Sequence, residues 1–115
     1  MSQLSNKTTG QLLVPELRVA DSMIKRVVGL LGTQSLDFNE GLWIKSCNSI
    51  HTYFMKYPID CVFLDKTLKV VSIKSNVNPW KIVAPQWGAT SVIELKAGSI
   101  EKLKISEGEQ LHVGN

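Results

Sequence analysis

Two cysteines in 115 residues are too few for a disulfide framework, and a reducing compartment keeps such residues as thiols. No apolar run approaches the length that spans a bilayer. The opening residues, Met1-Ser2-Gln3-Leu4-Ser5-Asn6-Lys7, lack the basic start and continuous apolar core of a secretory signal, so the expected location is cytoplasmic, with no membrane partner. Glycine-rich loops of the phosphate-cradling kind are absent, as are internal repeats and low-complexity segments. The formal net charge is only +3, and no aromatic residues interleave with a basic stripe, which argues against nucleic acid as a partner. The small positive excess is local. Residues 41–81 carry six lysines against two aspartates, while the first forty residues balance. A solvated lysine face accounts for that excess, with an anion site as the competing reading.

What remains is an ordinary globular composition, long enough for one domain with its own core. Residues 1–10 read as a flexible polar tail and residues 11–115 as a single domain. Residues 11–20 are rich in Leu and Val and predict a first strand bent at Pro15. Asp21 or Ser22 can cap a helix over about 22–31, in which Met23, Ile24, Val27, Val28 and Leu31 follow helical spacing. Gly29 within it costs about 1 kcal/mol relative to alanine, and Gly32 suits its end. Residues 41–46 predict a strand with Leu42 and Ile44 on one side and Trp43 on the other. Residues 59–64 and 68–74 are apolar runs separated by Asp65-Lys66-Thr67, the pattern of a β-hairpin. Residues 75–88 contain two Pro and two Trp without a stable period and read as one long loop. A strand over 90–95, a short helical turn over about 99–105 and a last strand over 110–113 complete the chain. The fold class is α+β, mainly β: a small partly closed β-barrel or curved sheet, antiparallel or mixed, with one main helix.

The densest chemistry lies between Cys47 and Asp65. Both cysteines, His51 and a proline-pinned turn at Tyr57-Pro58 fall there, followed by a strand apolar on both faces except for Asp60. A carboxylate on a face shared with Val62 and Leu64 needs a partner, and His51 and then Lys56 are the nearest candidates in sequence. If residues 50–56 are extended, His51, Tyr53 and Met55 share one side. The ordered pieces Cys47, Ile50-His51-Thr52, Met55-Lys56, Pro58-Ile59-Asp60 and Phe63-Leu64-Asp65 resemble the signature of a prokaryotic family known as domain of unknown function 192, DUF192. Gly29-Leu30-Leu31, Glu40-Gly41-Leu42-Trp43-Ile44, Pro79-Trp80-Lys81, Val92-Ile93-Glu94-Leu95, Ala97-Gly98 and Glu107-Gly108-Glu109 extend the resemblance from about Val14 to the end. It implies a compact, mainly β domain with a small helical component, and it implies no reaction. Members of that family commonly have glycine where this chain has Phe54, arginine at Lys56 and Lys81, and aspartate at Glu109. Lysine lacks arginine's planar fork, which weakens any anion-binding role, and the change at Glu109 is expected to alter only a turn.

Candidate site residues follow from these pieces. Cys47 and His51 have the residue types of a nucleophile and its base, with Asp60 as the orienting third group. Cys47, His51 and Met55 are soft donors, but three ligands without a second Cys/His pair make a poor metal signal, so no metal and no cofactor is expected. The bland alternative is a core His51 bonded to backbone or Asp60, with Cys47 a small core residue. Trp80, Trp87 and Lys81 sit on a loop that can stack on a sugar ring or a base, or plug one end of the barrel. The reading that results is a non-catalytic binding or accessory module, monomeric, taking an unknown small ligand or protein at His51, Lys56, Asp60, Trp80 and Lys81. A thiol-dependent enzyme built on Cys47 and His51, or a subunit of a larger assembly, are the alternatives.

Overall fold

A computed structural model describes residues 2–20 and 36–115. The helix expected over 22–31 lies outside the described residues. Seven strands form one sheet in the order β6-β5-β8-β3-β2-β1-β9, and a two-stranded ribbon, β4-β7, stands apart from it. The large sheet comprises β1 (Ser2–Asn6), β2 (Leu12–Ala20), β3 (Glu40–Lys45), β5 (Ile59–Leu64), β6 (Val70–Val77), β8 (Ser91–Lys96) and β9 (Leu111–Gly114). The ribbon pairs β4 (Ile50–His51) with β7 (Ile82–Val83), and a short helix, α1 (Ser99–Leu103), follows β8. Only β2 and β3 run parallel within the large sheet, which makes it mixed.

The sheet curls far enough for its two edge strands to meet at one end. Lys69, just before β6, bridges Gln110, just before β9, while Val70 N–H donates to Glu109 O and Leu111 N–H to Leu68 O, both at 2.9 Å. A half-closed barrel results, as the strand count and the alternating pattern imply, and closure at one end shields the exposed edges.

Strand β5 is the centre of the molecule. All six of its residues are buried, and it pairs antiparallel with β6 on one side and β8 on the other. Period-two alternation sends Val62 and Leu64 into the barrel core with Leu4, Val14, Leu17, Ile93 and Leu95. It sends Ile59, Cys61 and Phe63 to the opposite face with Leu42, Ile44, Met55 and Val92, where Ile50 of the β4-β7 ribbon covers them. Burying Phe63 alone is worth roughly 1.5–3 kcal/mol. The hairpin turn is fastened by Asp65, whose Oδ1 accepts from Thr67 N–H (2.8 Å), Thr67 Oγ1 (2.7 Å) and Lys69 N–H (3.0 Å).

Strand β3 enters through a close approach. A Cβ on Gly41 would stand 2.8 Å from Leu95 Cδ2, so glycine lets β3 pass between the side chains of β2 and β8. The split expected for Trp43 against Leu42 and Ile44 holds, since they face different core clusters. Pro15 falls within β2 where its register against β1 shifts, and there a missing N–H costs no ladder bond.

Three expectations fail. The polar opening residues are no loose tail: Ser2–Asn6 is a strand lying between β2 and β9 with Leu4 fully buried. One apolar residue suffices because backbone pairing on both sides supplies the rest. Glu109 does more than shape a turn, since its Oε1 accepts from Ser106 Oγ (2.8 Å) and its Oε2 from Asn6 Nδ2 (2.6 Å), tying β1 to the chain end. The stretch 75–88 is likewise no continuous loop, because β6 extends through Val77 and β7 interrupts the remainder.

Candidate functional site

Strand β4 lasts two residues, so the extended run expected over 50–56 stops at His51. Beyond it the chain turns at Tyr53 and Phe54, and Phe54 takes a left-handed backbone conformation with φ 66°. The residue that governs this turn is Thr52. Its side chain is buried, its N–H donates to Lys81 O (2.8 Å), and its carbonyl accepts from Trp80 N–H (2.9 Å). Its hydroxyl accepts from Lys81 N–H (2.8 Å) and donates to Asn78 O (2.6 Å). One threonine therefore fastens the 52–55 turn to the Trp80 loop, extending the β4-β7 pairing by side-chain chemistry. Trp80 is itself left-handed, at φ 66°.

The clamp holds a row of rings. His51 lies 4.9 Å from Tyr53, Tyr53 5.8 Å from Trp80, and Trp80 4.8 Å from Phe54, centroid to centroid. Those spacings are the ordinary range for favourable aromatic contact. The outer two rings are solvent-facing, with Trp80 59% and Phe54 63% exposed. Bulky residues held left-handed and left exposed cost stability without contributing a core.

Beside the inner end of this row is the main cleft of the described residues, with a volume of about 740 Å³. Residues 46–51 form one wall, and Tyr53, Ile82, Ala89 and Thr90 close the rest. The wall is pinned by Cys47 N–H donating to Thr90 O (3.0 Å) and Gln86 N–H donating to Asn48 O (2.8 Å). Cys47 and His51 thus share a cleft, as their pairing in the sequence suggested. The Cys47 thiol donates to Ser49 O at 2.8 Å, a bond that only the protonated sulfur can make.

Asp60 is elsewhere. It faces a separate small notch lined by Ser75, Asn76, Ala97, Gly98 and Glu101. Its carboxylate accepts three backbone N–H bonds, from Asn76 (2.7 Å), Ile100 (2.9 Å) and Gly98 (3.1 Å). His51 and Lys56 supply none of these, so the expected Asp60–His51 pair does not form. Backbone amides satisfy the buried charge instead, joining β5, β6 and the start of α1. Gly98 takes φ 97° to present its amide there.

The remaining candidates disperse. Lys56 and Lys81 are exposed and line none of the cleft, and Lys81 acts through its backbone. Met55 is buried in the outer core. Trp87 stands 96% exposed beside a shallow hollow that shares Asn48 with the main cleft. Among the described residues no group of three His, Cys, Asp or Glu side chains is placed to hold a metal ion. No helix of the described residues is long and apolar enough to cross a membrane.

Residues 4–113 match the family model for DUF192, described as an uncharacterized ACR. The chain belongs to the DUF192 family. A UPF0127 protein of Thermococcus sibiricus is 33% identical over 94% of this chain and 72% of its own length. The UPF0127 protein of Pyrococcus horikoshii is 36% identical over 84% of this chain and 85% of its own. Among solved structures, a Sinorhizobium meliloti protein provisionally described as a transcription regulator superposes with a TM-score of 0.82 at 19% identity, covering 97% of this chain and 91% of that one. A protein of unknown function from Novosphingobium aromaticivorans gives a TM-score of 0.80 at 17% identity, covering 96% and 82%. At those identities the likeness shows the shared fold alone.

In this DUF192 chain the Phe54 backbone has a physical cost: glycine would adopt the positive φ without strain, whereas phenylalanine does so at roughly 1–2 kcal/mol. What Phe54 adds in return is a ring against Trp80. Reading the sequence by period alone overlooked Thr52, Tyr53 and Ile82.

Proposed function

We propose that this DUF192 protein is a non-catalytic binding module whose site is the cleft between residues 46–51 and Ile82. The observation that carries the reading is the ring row leaving that cleft, His51–Tyr53–Trp80–Phe54, whose outer members are exposed in left-handed conformations. Folding gains little from such rings, while a ligand entering the cleft gains stacking faces. The location of Cys47 and His51 in the same cleft favours a second reading, a thiol-dependent enzyme. Three features weigh against it: the thiol proton is engaged by Ser49 O, the carboxylate that would orient the base belongs to another notch, and apart from His51 no charged side chain among the described residues lines the cleft to steady an oxyanion.

Amide chemical-shift mapping with a fragment set spanning polyols, amides, heterocycles, carboxylates and phosphates tests the binding reading. Hits should concentrate on residues 46–53, Ile82, Ala89 and Thr90, and no fragment should become attached to Cys47. Hits scattered over the surface, or gathered at Gly98 and Asn76, would overturn it. A covalent adduct on Cys47 after incubation with ester or other electrophilic substrates, seen by intact mass, would favour the thiol enzyme.

A further inference from the structure

We infer that the cleft takes a neutral pyranose ring, free or at the end of a glycan; the inference rests on the binding reading above and names its ligand class. Apart from His51, every side chain of the described residues that lines the cleft is neutral. Ser46, Asn48, Ser49 and Thr90 supply hydroxyls and one amide, groups that both donate and accept. A sugar hydroxyl also donates and accepts, so such walls can satisfy several hydroxyls around a ring whatever their orientation. An anionic ligand finds no such match. The neighbouring lysines, Lys56 and Lys81, line none of the cleft, and a phosphate or carboxylate there would lose hydration with no lysine or arginine of the described residues, and only His51, to compensate it.

The second observation is Tyr53, which lines the cleft and also begins the outward path of rings. One face of a pyranose presents mainly C–H groups, and these pack on the negative face of an aromatic ring. Polar walls and an aromatic side are therefore the two halves of one recognition problem, a ligand hydroxylated at its rim and apolar on its face. Trp80, 5.8 Å beyond Tyr53 and well exposed, is placed for a second ring linked to the first. The chemistry of a nucleotide fits less well, because it brings a phosphate for which the described lining offers no lysine or arginine.

The experiment is amide chemical-shift titration of the full chain with four classes of probe: the methyl pyranosides of glucose, galactose, mannose and N-acetylglucosamine; glucose 6-phosphate; uridine; and indole. At least one methyl pyranoside should shift residues 46–53, Ile82 and Thr90 saturably, and more strongly than glucose 6-phosphate does. Tyr53→Ala should weaken that binding by roughly three- to tenfold, the scale of one ring contact, while Tyr53→Phe retains it. Should Tyr53→Ala fold poorly, Trp80→Ala at the exposed end carries the test. Maltose and cellobiose binding several-fold tighter than the monosaccharides, with the gain lost in Trp80→Ala, would identify a glycan end; equal affinities in wild type would identify a free sugar. Shifts in the cleft from uridine, indole or glucose 6-phosphate but from no neutral pyranoside would overturn the sugar assignment and leave the binding reading standing. A cleft silent to every probe would overturn both.

Discussion

Two hydrogen bonds of 2.8 Å join Thr52 to Lys81, Thr52 N–H to Lys81 O and Lys81 N–H to the Thr52 hydroxyl. Only the second bond depends on the side chain, so Thr52→Val removes it while keeping the shape. The variant leaves Lys81 N–H and Asn78 O without their hydroxyl partner and should lose roughly 1–3 kcal/mol of stability. Hydrogen exchange should quicken at Trp80 and Lys81 more than in β5. Uniform loss of protection across the sheet would mean that Thr52 supports the core rather than the loop.

Phe54→Gly should raise stability by about 1 kcal/mol, because glycine holds φ 66° without the steric penalty and Phe54 buries little. Denaturant unfolding with an unchanged slope and a higher midpoint would show it. The same variant should bind cleft ligands more weakly, having lost the ring against Trp80. Lower stability would show that the Phe54–Trp80 contact outweighs the strain.

Asp60→Asn sets an amide against backbone donors. One of its two terminal atoms is then an N–H group facing amides from Gly98 and Ile100 or from Asn76. The cost should be about 3 kcal/mol, as for losing buried bonds to a charge. The His51 ring, in a different cavity, should titrate identically in both proteins. A changed His51 titration would restore the coupling that the geometry denies.

Burial pushes the Asp65 carboxyl up, but bonds from the Thr67 hydroxyl and the Lys69 and Thr67 amides outweigh it and hold the group below its ordinary value of 3.8. Its folded form is thus the more acidic one. The stability it contributes is complete above the ordinary value and is lost as pH falls through the folded one. Asp65→Asn should lower stability at neutral pH and flatten the acid limb of the stability profile. An unchanged acid limb would show that the turn does not depend on the charge.

Most of the sheet was legible in the sequence, and the reason is periodicity. β3, β5, β8 and β9 each carry apolar residues at alternate or successive positions, long enough for a period of two to stand out. β1 was hidden because Leu4 is the one fully buried side chain in a polar run, and pairing on both sides is a property of the sheet. β4 and β7 are too short to show any period. The site was legible by neighbourhood and obscured in its contacts. Cys47 and His51 line one cleft, but the Asp60 donors lie 16 to 40 residues away and are backbone amides, which carry no residue-type signal. The role of Thr52 was hidden for the same reason, since its partners at Asn78, Trp80 and Lys81 are all main-chain atoms whose position depends on the fold.

The cleft and the Asp60 notch can be separated in one measurement: fragment mapping repeated on Tyr53→Ala and Asp60→Asn, each confirmed folded by its amide spectrum. The expected result is loss of the cleft shifts in Tyr53→Ala and their survival in Asp60→Asn. Loss in Asp60→Asn with survival in Tyr53→Ala would place the site at the notch and contradict the assignment.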